Sequence, residues 1–495
     1  MPPAGPENAS PLDDDGLLPL RPVREVVTCG GAETIHAAAA LMSARNVGSI
    51  VVVDERRRPL GIVTDTDLRK KVVAGGVSAD DAVRSIMSAP VVTVPVRSTA
   101  SGTIITMMRR GIRHLCITED GTPGSAVIGI ISEHDVVLLH GNNPAVLAKE
   151  IGQAPDVERL AGLREKGGEL VEEYVGKGVG VRFVADMIAE VNDALTSRLI
   201  VLAQSALARS GLEAPAVRFC WLSLGSDGRR EQLLQTDQDT AIVYEDPPGS
   251  GADAAAAYFH RLAAEVSAGL LACGFARCPG ETMADNPRWC QPLSGWKGYF
   301  RSWLRTPDEA ALLGAATVFD FRSVFGAQDL EAAMRACIDE ELASGRTALL
   351  LLARNAVHNP PATGLWERLN AERQGSHRGC FDVKLRAMKP VTEAARVLAL
   401  DRGMHGLTGT LDRIERLAVD DRTLAEIAPA VVEAYELYMR FRVMYGEKGD
   451  GAGRYIELAR MGKQDLKRLR ATFDGVTSLL KLLQVRYRPD TFGLG

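Results

Sequence analysis

A chain of 495 residues, 46% hydrophobic and 24% charged, is long enough for three or four globular domains and too apolar to be disordered throughout. Its net charge of −5 excludes a broad nucleic-acid surface, though not a local basic groove, and the lack of any run of ~18 apolar residues argues against a membrane-spanning helix. Its eight cysteines are scattered without a CxxC and read as reduced thiols of a cytoplasmic protein, not as disulfides or metal ligands.

Residues 1–20 are expected to form a disordered tail; Pro and Asp precede any apolar run and no basic region is present, so they do not read as a signal peptide. An internal repeat occupies 21–141. GIVTDTD at 61–67 recurs as GIISEHD at 129–135, and AALMSARNVGSIVVV at 39–53 aligns with IITMMRRGIRHLCIT at 104–118. Each copy reads as helix, strand, turn, strand, helix, and a loop insertion near 121–126 accounts for the change of offset between the two alignments. The repeat resembles a tandem pair of CBS domains. That resemblance implies a disc with clefts for adenine nucleotides and association into a homodimer. It also implies that Thr64 with Asp67, and Ser132 with Asp135, contact a ribose and a phosphate. The chemistry suits them, since a carboxylate accepts from ribose hydroxyls and a side-chain hydroxyl donates to phosphate. The same residues equally suit helix capping, Thr64 and Ser132 as caps and Asp67 and Asp135 in the first turn.

Residues 142–212 place Val181, Val184, Met187, Ile188, Val191, Leu195 and Leu199 at helical spacing, the pattern of a helical connector packed on the next domain. Gly176, Gly178 and Gly180 interrupt it. No strand precedes them, so a hinge or turn is the better reading than a phosphate loop.

Residues 213–330 carry the chemistry. The stretch 225–239 reads GSDGRREQLLQTDQD, between apolar runs at 217–224 and 241–244. Residues two apart on a strand share a face, so Asp237 and Asp239 project side by side, and two carboxylates that close call for a cation between them. Gly225 lets backbone approach a triphosphate, Ser226 can donate to it, and a helix starting near Gly228 would aim free N–H groups at it. Arg229 can pair with the triphosphate, and Glu231 can hold Arg229 by a salt bridge. The segment resembles the polymerase-β-like nucleotidyltransferase superfamily, and within it the bacterial nitrogen-regulatory uridylyltransferases and glutamine-synthetase adenylyltransferases, in which a glycine-containing segment ending in Gly-Arg-x-Glu is followed, four residues later, by Ser/Thr-Asp-x-Asp. The order of segments is similar to a family of CBS-containing signalling nucleotidyltransferases spanning nearly the whole chain. The resemblance implies a magnesium (or manganese) site at Asp237 and Asp239, a nucleoside triphosphate substrate and pyrophosphate release. It also calls for a third metal-binding carboxylate on a neighbouring strand. Asp320, in the β-prone run TVFDFR at 317–322, fits that place; an Asp320–Arg322 ion pair is the structural alternative.

Between these points, Trp296 and Lys297 could meet a base and a phosphate, although a core tryptophan is the commoner case. Residues 331–495 are helical in pattern, with apolar spacing through 330–357, 391–400 and 424–445. Around the segment 379–384, Asp382, Lys384 and Arg396 match the family's substrate-binding region, and they suit caps and surface charges as well.

The expected architecture is therefore multidomain α/β and α: a tail (1–20), a tandem CBS pair (21–141), a helical connector (142–212), a polymerase-β-like mixed-sheet core (213–330) and a helical substrate-binding bundle (331–495). The expected function is metal-dependent transfer of a nucleoside monophosphate to an acceptor hydroxyl, on a regulatory protein, under control of adenine nucleotide at the CBS pair. The alternatives are a catalytically idle nucleotide-sensing scaffold, or transfer to a small molecule as in aminoglycoside nucleotidyltransferases. No membrane or nucleic-acid partner is expected.

Overall fold

The computed structural model describes residues 26–488 except 46, 97, 99, 111, 113, 133–143, 234–236, 359–368, 370, 373, 375, 405 and 447–452. The predicted tail and Asp135 lie outside the described residues. Two compact units are present, Met1–Lys149 and Glu150–Gly495.

The first unit contains two copies of one small motif. In copy one, β1 (Thr28–Gly30), α1 (Ile35–Ala44), β2 (Ser49–Val53) and β3 (Pro59–Thr64) give a sheet with β1 parallel and β3 antiparallel to β2. In copy two, β4 (Thr93–Pro95), α2 (Ala100–Arg110), β5 (His114–Thr118) and β6 (Val127–Ser132) repeat that pairing. The register repeats too: Ser49 faces Thr64 as His114 faces Ser132, and the same irregularity falls at Val52/Val53 and Ile117/Thr118. The central strands are apolar because they are covered on both faces. Ile50, Val51 and Val52 are buried, as are Leu115, Cys116 and Ile117. Val51 and Cys116 share one cluster, so the copies are stitched together by their middle strands. The inserted loop sits where expected, its Gly121 carbonyl accepting from the Thr93 hydroxyl at 2.6 Å.

The second unit begins with α3 (Val157–Gly176) and α4 (Val181–Arg209). The seven apolar positions predicted for the connector helix are all buried on α4, and the glycine triplet forms the turn, with Gly178 at φ 80°. A four-stranded mixed sheet follows, ordered β10–β7–β8–β9: β7 (Phe219–Ser223) is antiparallel to β8 (Thr240–Tyr244) and to β10 (Arg322–Gly326), and β9 (Cys290–Pro292) is parallel to β8. Helices α5 (Ala252–Ala272) and α6 (Leu293–Arg305) accompany it. Trp296 belongs to the core: it is fully buried and its Nε1 donates to the Ile242 carbonyl at 2.9 Å, so it holds α6 against β8 and does not meet a base. Such burial contributes about 2–3 kcal/mol per large apolar side chain.

The C-terminal region is mostly helical: α7 (Gln328–Ser344), α8 (Thr347–Val357), α9 (Lys389–Asp401), α10 (Thr410–Asp420), α11 (Arg422–Tyr445) and α12 (Lys463–Tyr487). The apolar run 330–357 is two helices, because Gly345 ends α7 in extended backbone. A two-stranded antiparallel ribbon, β11 (Cys380–Asp382) with β12 (Tyr455–Glu457), adds a feature that the helical pattern did not predict. Among the described residues, no helix is long and apolar enough to cross a membrane.

Candidate active site

A cavity of about 730 Å³ is lined by the turn after β7, the residues just before β8, α8, α9, α11 and the segment after β11. Asp237 forms a single parallel bridge to Ala276, and Asp239 immediately precedes β8, its carbonyl accepting from Leu224 N at 2.9 Å. Both carboxylates line the cavity, so the two-residue spacing brings them together. The Asp239 carboxyl is pushed up to about 6, first by burial; the Asp237 charge adds to this, while a hydrogen bond from Cys278 and the Lys384 ammonium oppose it. A buried carboxylate beside a second one is a hard-oxygen donor pair short of positive charge. Such a pair fits magnesium or manganese.

The glycine-rich turn differs in detail from expectation. The helix starts at Gly225, not Gly228, and is a single turn, Gly225–Gly228. Gly225 has φ 57°, and a Cβ there would lie 2.6 Å from Thr317 Cγ2 and 2.9 Å from Asp239 Oδ2. Its role in this structure is to make room for the Asp239 carboxylate. Ser226 and Arg229 line the cavity.

Arg229 is not free for a ligand. Its Nε donates to Glu231 at 2.8 Å, the predicted salt bridge, and its Nη1 donates to Asp320 at 2.8 Å. Burial would lower its pKa, but the Glu231 and Asp320 charges raise it overall.

Asp320 requires a correction. The run 317–322 is not a strand at that point: Ala316–Phe319 is a 3-10 turn, and β10 begins at Arg322. Asp320 is fully buried, with Oδ2 accepting from Arg396 at 2.6 Å and from Arg229, and Oδ1 accepting from Arg413 at 2.7 Å. Burial works against its charge, yet Arg396, Arg413 and Arg229 hold it well below the usual carboxylate range. A carboxylate shared among three guanidiniums has no capacity left for a metal, and among the described residues no cluster of three acidic, His or Cys ligands exists. The Asp320–Arg322 pair is absent as well. Arg322 turns to Asp193 on α4, at 2.5 Å and 2.9 Å, and Arg230 joins Asp186 and Glu190 of the same helix. The connector thus clamps the motif from behind.

Asp320 instead joins the sheet to the helical region. Arg396 comes from α9 and Arg413 from α10; Tyr435 of α11 donates to Glu231 Oε2 at 2.7 Å; Thr410 N donates to Glu231 Oε1 at 2.7 Å; and the Thr408 hydroxyl donates to the Gly228 carbonyl at 2.8 Å. Arg396 lines the cavity, but its charge belongs to Asp320. Asp382 is buried and caps the following turn through Leu385 N at 2.8 Å while holding Arg454 at 2.9 Å, so it supports the wall without lining it. Lys384 does line the cavity. Burial and the Arg442 charge lower its pKa, and Asp239 and Asp237 partly offset this. Arg413, Tyr435, Arg442 and Glu393 were missed. Their signal was a polar residue at an apolar helical position, as in LDRIERL at 411–417 or YMRFRVMY at 438–445.

In the first unit, Thr64 and Asp67 form a capping box: Thr64 N donates to Asp67 Oδ2 at 3.0 Å and Asp67 N to Thr64 Oγ1 at 3.3 Å, and Lys71 pairs with Asp67 at 2.8 Å. Ser132 ends β6 at the position equivalent to Thr64.

Comparison with known proteins agrees with this division. Residues 165–310 match the family described as "Putative nucleotidyltransferase DUF294", 346–487 match "Putative nucleotidyltransferase substrate binding domain", and 20–74 and 83–140 each match the CBS domain. Among curated proteins, the chain is 34% identical over 129 residues to "Uncharacterized protein MK0525" of Methanopyrus kandleri, covering 26% of this chain and 64% of that one. It is 31% identical over 127 residues to "Uncharacterized protein MJ1404" of Methanocaldococcus jannaschii, covering 23% and 29%. The chain therefore spans less than two thirds of either relative. Among solved structures, it is 30% identical to a putative signal-transduction protein with CBS domains from Burkholderia ambifaria, covering 23% of this chain and 81% of that one with a TM-score of 0.21. It is 24% identical to a CBS domain protein from Pyrobaculum aerophilum complexed with AMP, covering 25% and 90% with a TM-score of 0.22.

Proposed function

From a chain that belongs to the CBS-domain-containing putative nucleotidyltransferase family, we propose metal-dependent transfer of a nucleoside monophosphate from a nucleoside triphosphate to an acceptor hydroxyl. The observation that carries this reading is the pair Asp237 and Asp239 in a nucleotide-sized cavity, one carboxyl raised by burial, with the cationic side chains Lys384 and Arg442 lining the same cavity. Asp237 and Asp239 would hold the divalent ion, with Gly225 giving the Asp239 carboxylate its space. Bound there, magnesium or manganese would polarise the reacting phosphate and favour the attacking oxygen. Ser226 would donate to the phosphates. Glu231 and Asp320 keep Arg229 fixed at the cavity wall.

A regulatory protein is the acceptor we infer, and adenine nucleotide at Thr64–Asp67 and Ser132 of the CBS pair is the regulator. We also place a homodimer at that pair. Regulation requires that the nucleotide bind the active and inactive states with different affinity. The test is incubation of the full chain with labelled ATP or UTP, magnesium and cell lysate. Label should pass to an acceptor with wild type and not with Asp237→Ala/Asp239→Ala; no transfer, or equal transfer, overturns the proposal. One observation favours a second reading, a nucleotide-binding scaffold: the expected third carboxylate, Asp320, is neutralised by arginines. Calorimetry discriminates, since nucleotide binding without magnesium dependence, unchanged by the two substitutions, belongs to a scaffold.

A further inference from the structure

The motif side chain expected to meet the triphosphate, Arg229, already has two carboxylate partners. Two cations that line the same cavity make no ion pair within 4 Å among the described residues, although the Asp239 and Asp237 charges act on Lys384 and the Glu231 charge acts on Arg442. Arg442 of α11 is 3% exposed; its Nε donates to the Gly453 carbonyl at 2.8 Å and its Nη1 lies 3.8 Å from Met388 Sδ. Lys384 opens the π-helical turn Lys384–Met388 and makes no hydrogen bond or ion pair through its ammonium among the described residues. Both line the cavity that holds Asp237 and Asp239.

Their positions are built, not incidental. Arg442 is anchored to the carbonyl of Gly453, and Lys384 N donates to the carbonyl of Arg454, the next residue, at 3.4 Å. One short stretch of backbone leading into β12 therefore sets both cations. At Gly446 a Cβ would lie 2.8 Å from Gly453 Cα, so the end of α11 and this stretch are in close approach. Neighbouring Arg454 is tied to Asp382 and does not supply the same unmet charge. Burying cations without a directly paired carboxylate is costly, and an anionic ligand reduces the cost.

We infer that Lys384 and Arg442 bind the β- and γ-phosphates of the nucleoside triphosphate, so that the helical region forms half of the nucleotide site. This rests on the nucleotidyl-transfer reading above. In the transfer, the acceptor oxygen bonds to the α-phosphorus as the bond from that phosphorus to the β-bridging oxygen breaks. The electron pair stays on pyrophosphate, beside Lys384 and Arg442, and the acceptor's proton is released to water. A compact lysine and a forked arginine together suit a polyphosphate.

The experiment is calorimetry on the full chain with pyrophosphate, ATP, UTP and the monophosphates AMP and UMP, using wild type, Lys384→Gln, Arg442→Lys and Asp237→Asn/Asp239→Asn. Lys384→Gln, at a less buried side chain than Arg442, keeps the test valid if Arg442→Lys fails to fold; melting curves identify that case. Pyrophosphate and triphosphate affinity should fall about tenfold or more in Lys384→Gln, with monophosphate affinity within about twofold. Asp237→Asn/Asp239→Asn should retain pyrophosphate binding without metal. Unchanged pyrophosphate affinity in folded Lys384→Gln, or equal weakening of monophosphates, overturns the assignment. If wild type transfers no label yet binds pyrophosphate through Lys384, the function proposal falls and this site stands; if it transfers label and Lys384→Gln binds pyrophosphate normally, the reverse holds.

Discussion

Replacing Asp320 by Asn separates two accounts of that residue. As a metal ligand it would matter to activity and little to stability. In the structure its two oxygens hold Arg229, Arg396 and Arg413, with side-chain exposures of 11%, 6% and 1%, while Asp320 itself is fully buried. Asn keeps the shape and one acceptor oxygen but removes the charge that three buried guanidiniums share, leaving Glu231 to pair with Arg229. Breaking a buried ion pair by removing one partner costs about 3–5 kcal/mol. For a unit of this size that is a fall of about 4–7 °C in melting temperature. Because the arginines sit on α9 and α10, the loss should appear as loosened packing of the helical region on the sheet. The sign with pH is also set. The carboxyl is depressed in the folded state, so its contribution is fully present above the unfolded value of about 4 and falls only as pH drops below that. Differential scanning calorimetry at pH 7.5, with and without magnesium, measures the effect. A variant melting within about 2 °C of wild type, but with lost magnesium binding, would refute the reasoning and restore Asp320 to the metal site.

Asp239→Asn should stabilise the metal-free protein. Its carboxyl titrates at about 6 when folded, against 3.8 as an isolated group, so the folded state binds the extra proton between those values and the charged form above pH 6 is penalised by up to about 3 kcal/mol. Melting with chelator should show the variant more stable at pH 7.5 and equal to wild type near pH 4, with magnesium favouring wild type at the higher pH. Gly228→Ala should destabilise by about 3 kcal/mol, since its Cβ would lie 2.0 Å from the Asp320 carbonyl oxygen and 2.9 Å from that of Ser223; urea denaturation reads it out. Thr64→Ala removes one half of the capping box and should cost the CBS unit about 1 kcal/mol, measurable by its melting with and without AMP.

Much of the site was legible because its signals are local. Asp237 and Asp239, two residues apart, line the same cavity just before β8, and Glu231 reaches Arg229 two residues away. The connector helix was legible from its apolar spacing, and the duplicated unit from its duplicated text. Asp320 was misread because an apolar run with one acid looks the same whether that acid faces a metal or a set of arginines. The difference lies 76 and 93 residues downstream, at Arg396 and Arg413. Trp296 was decided by a single carbonyl, that of Ile242, 54 residues earlier.

By itself, then, the sequence determined the repeat, the closely spaced Asp pair and the helical character of the C-terminal region, because periodicity and short spacing act through the backbone and need no partner. Tertiary structure alone decided which charges are spent and which remain available. Arg229, Arg396 and Arg413 are neutralised at Asp320 and Glu231, while Lys384 and Arg442 line the cavity with no direct ion pair among the described residues. The physical reason is that a buried charge takes its meaning from its nearest counter-charge, and here chain folding brings those counter-charges from distant helices.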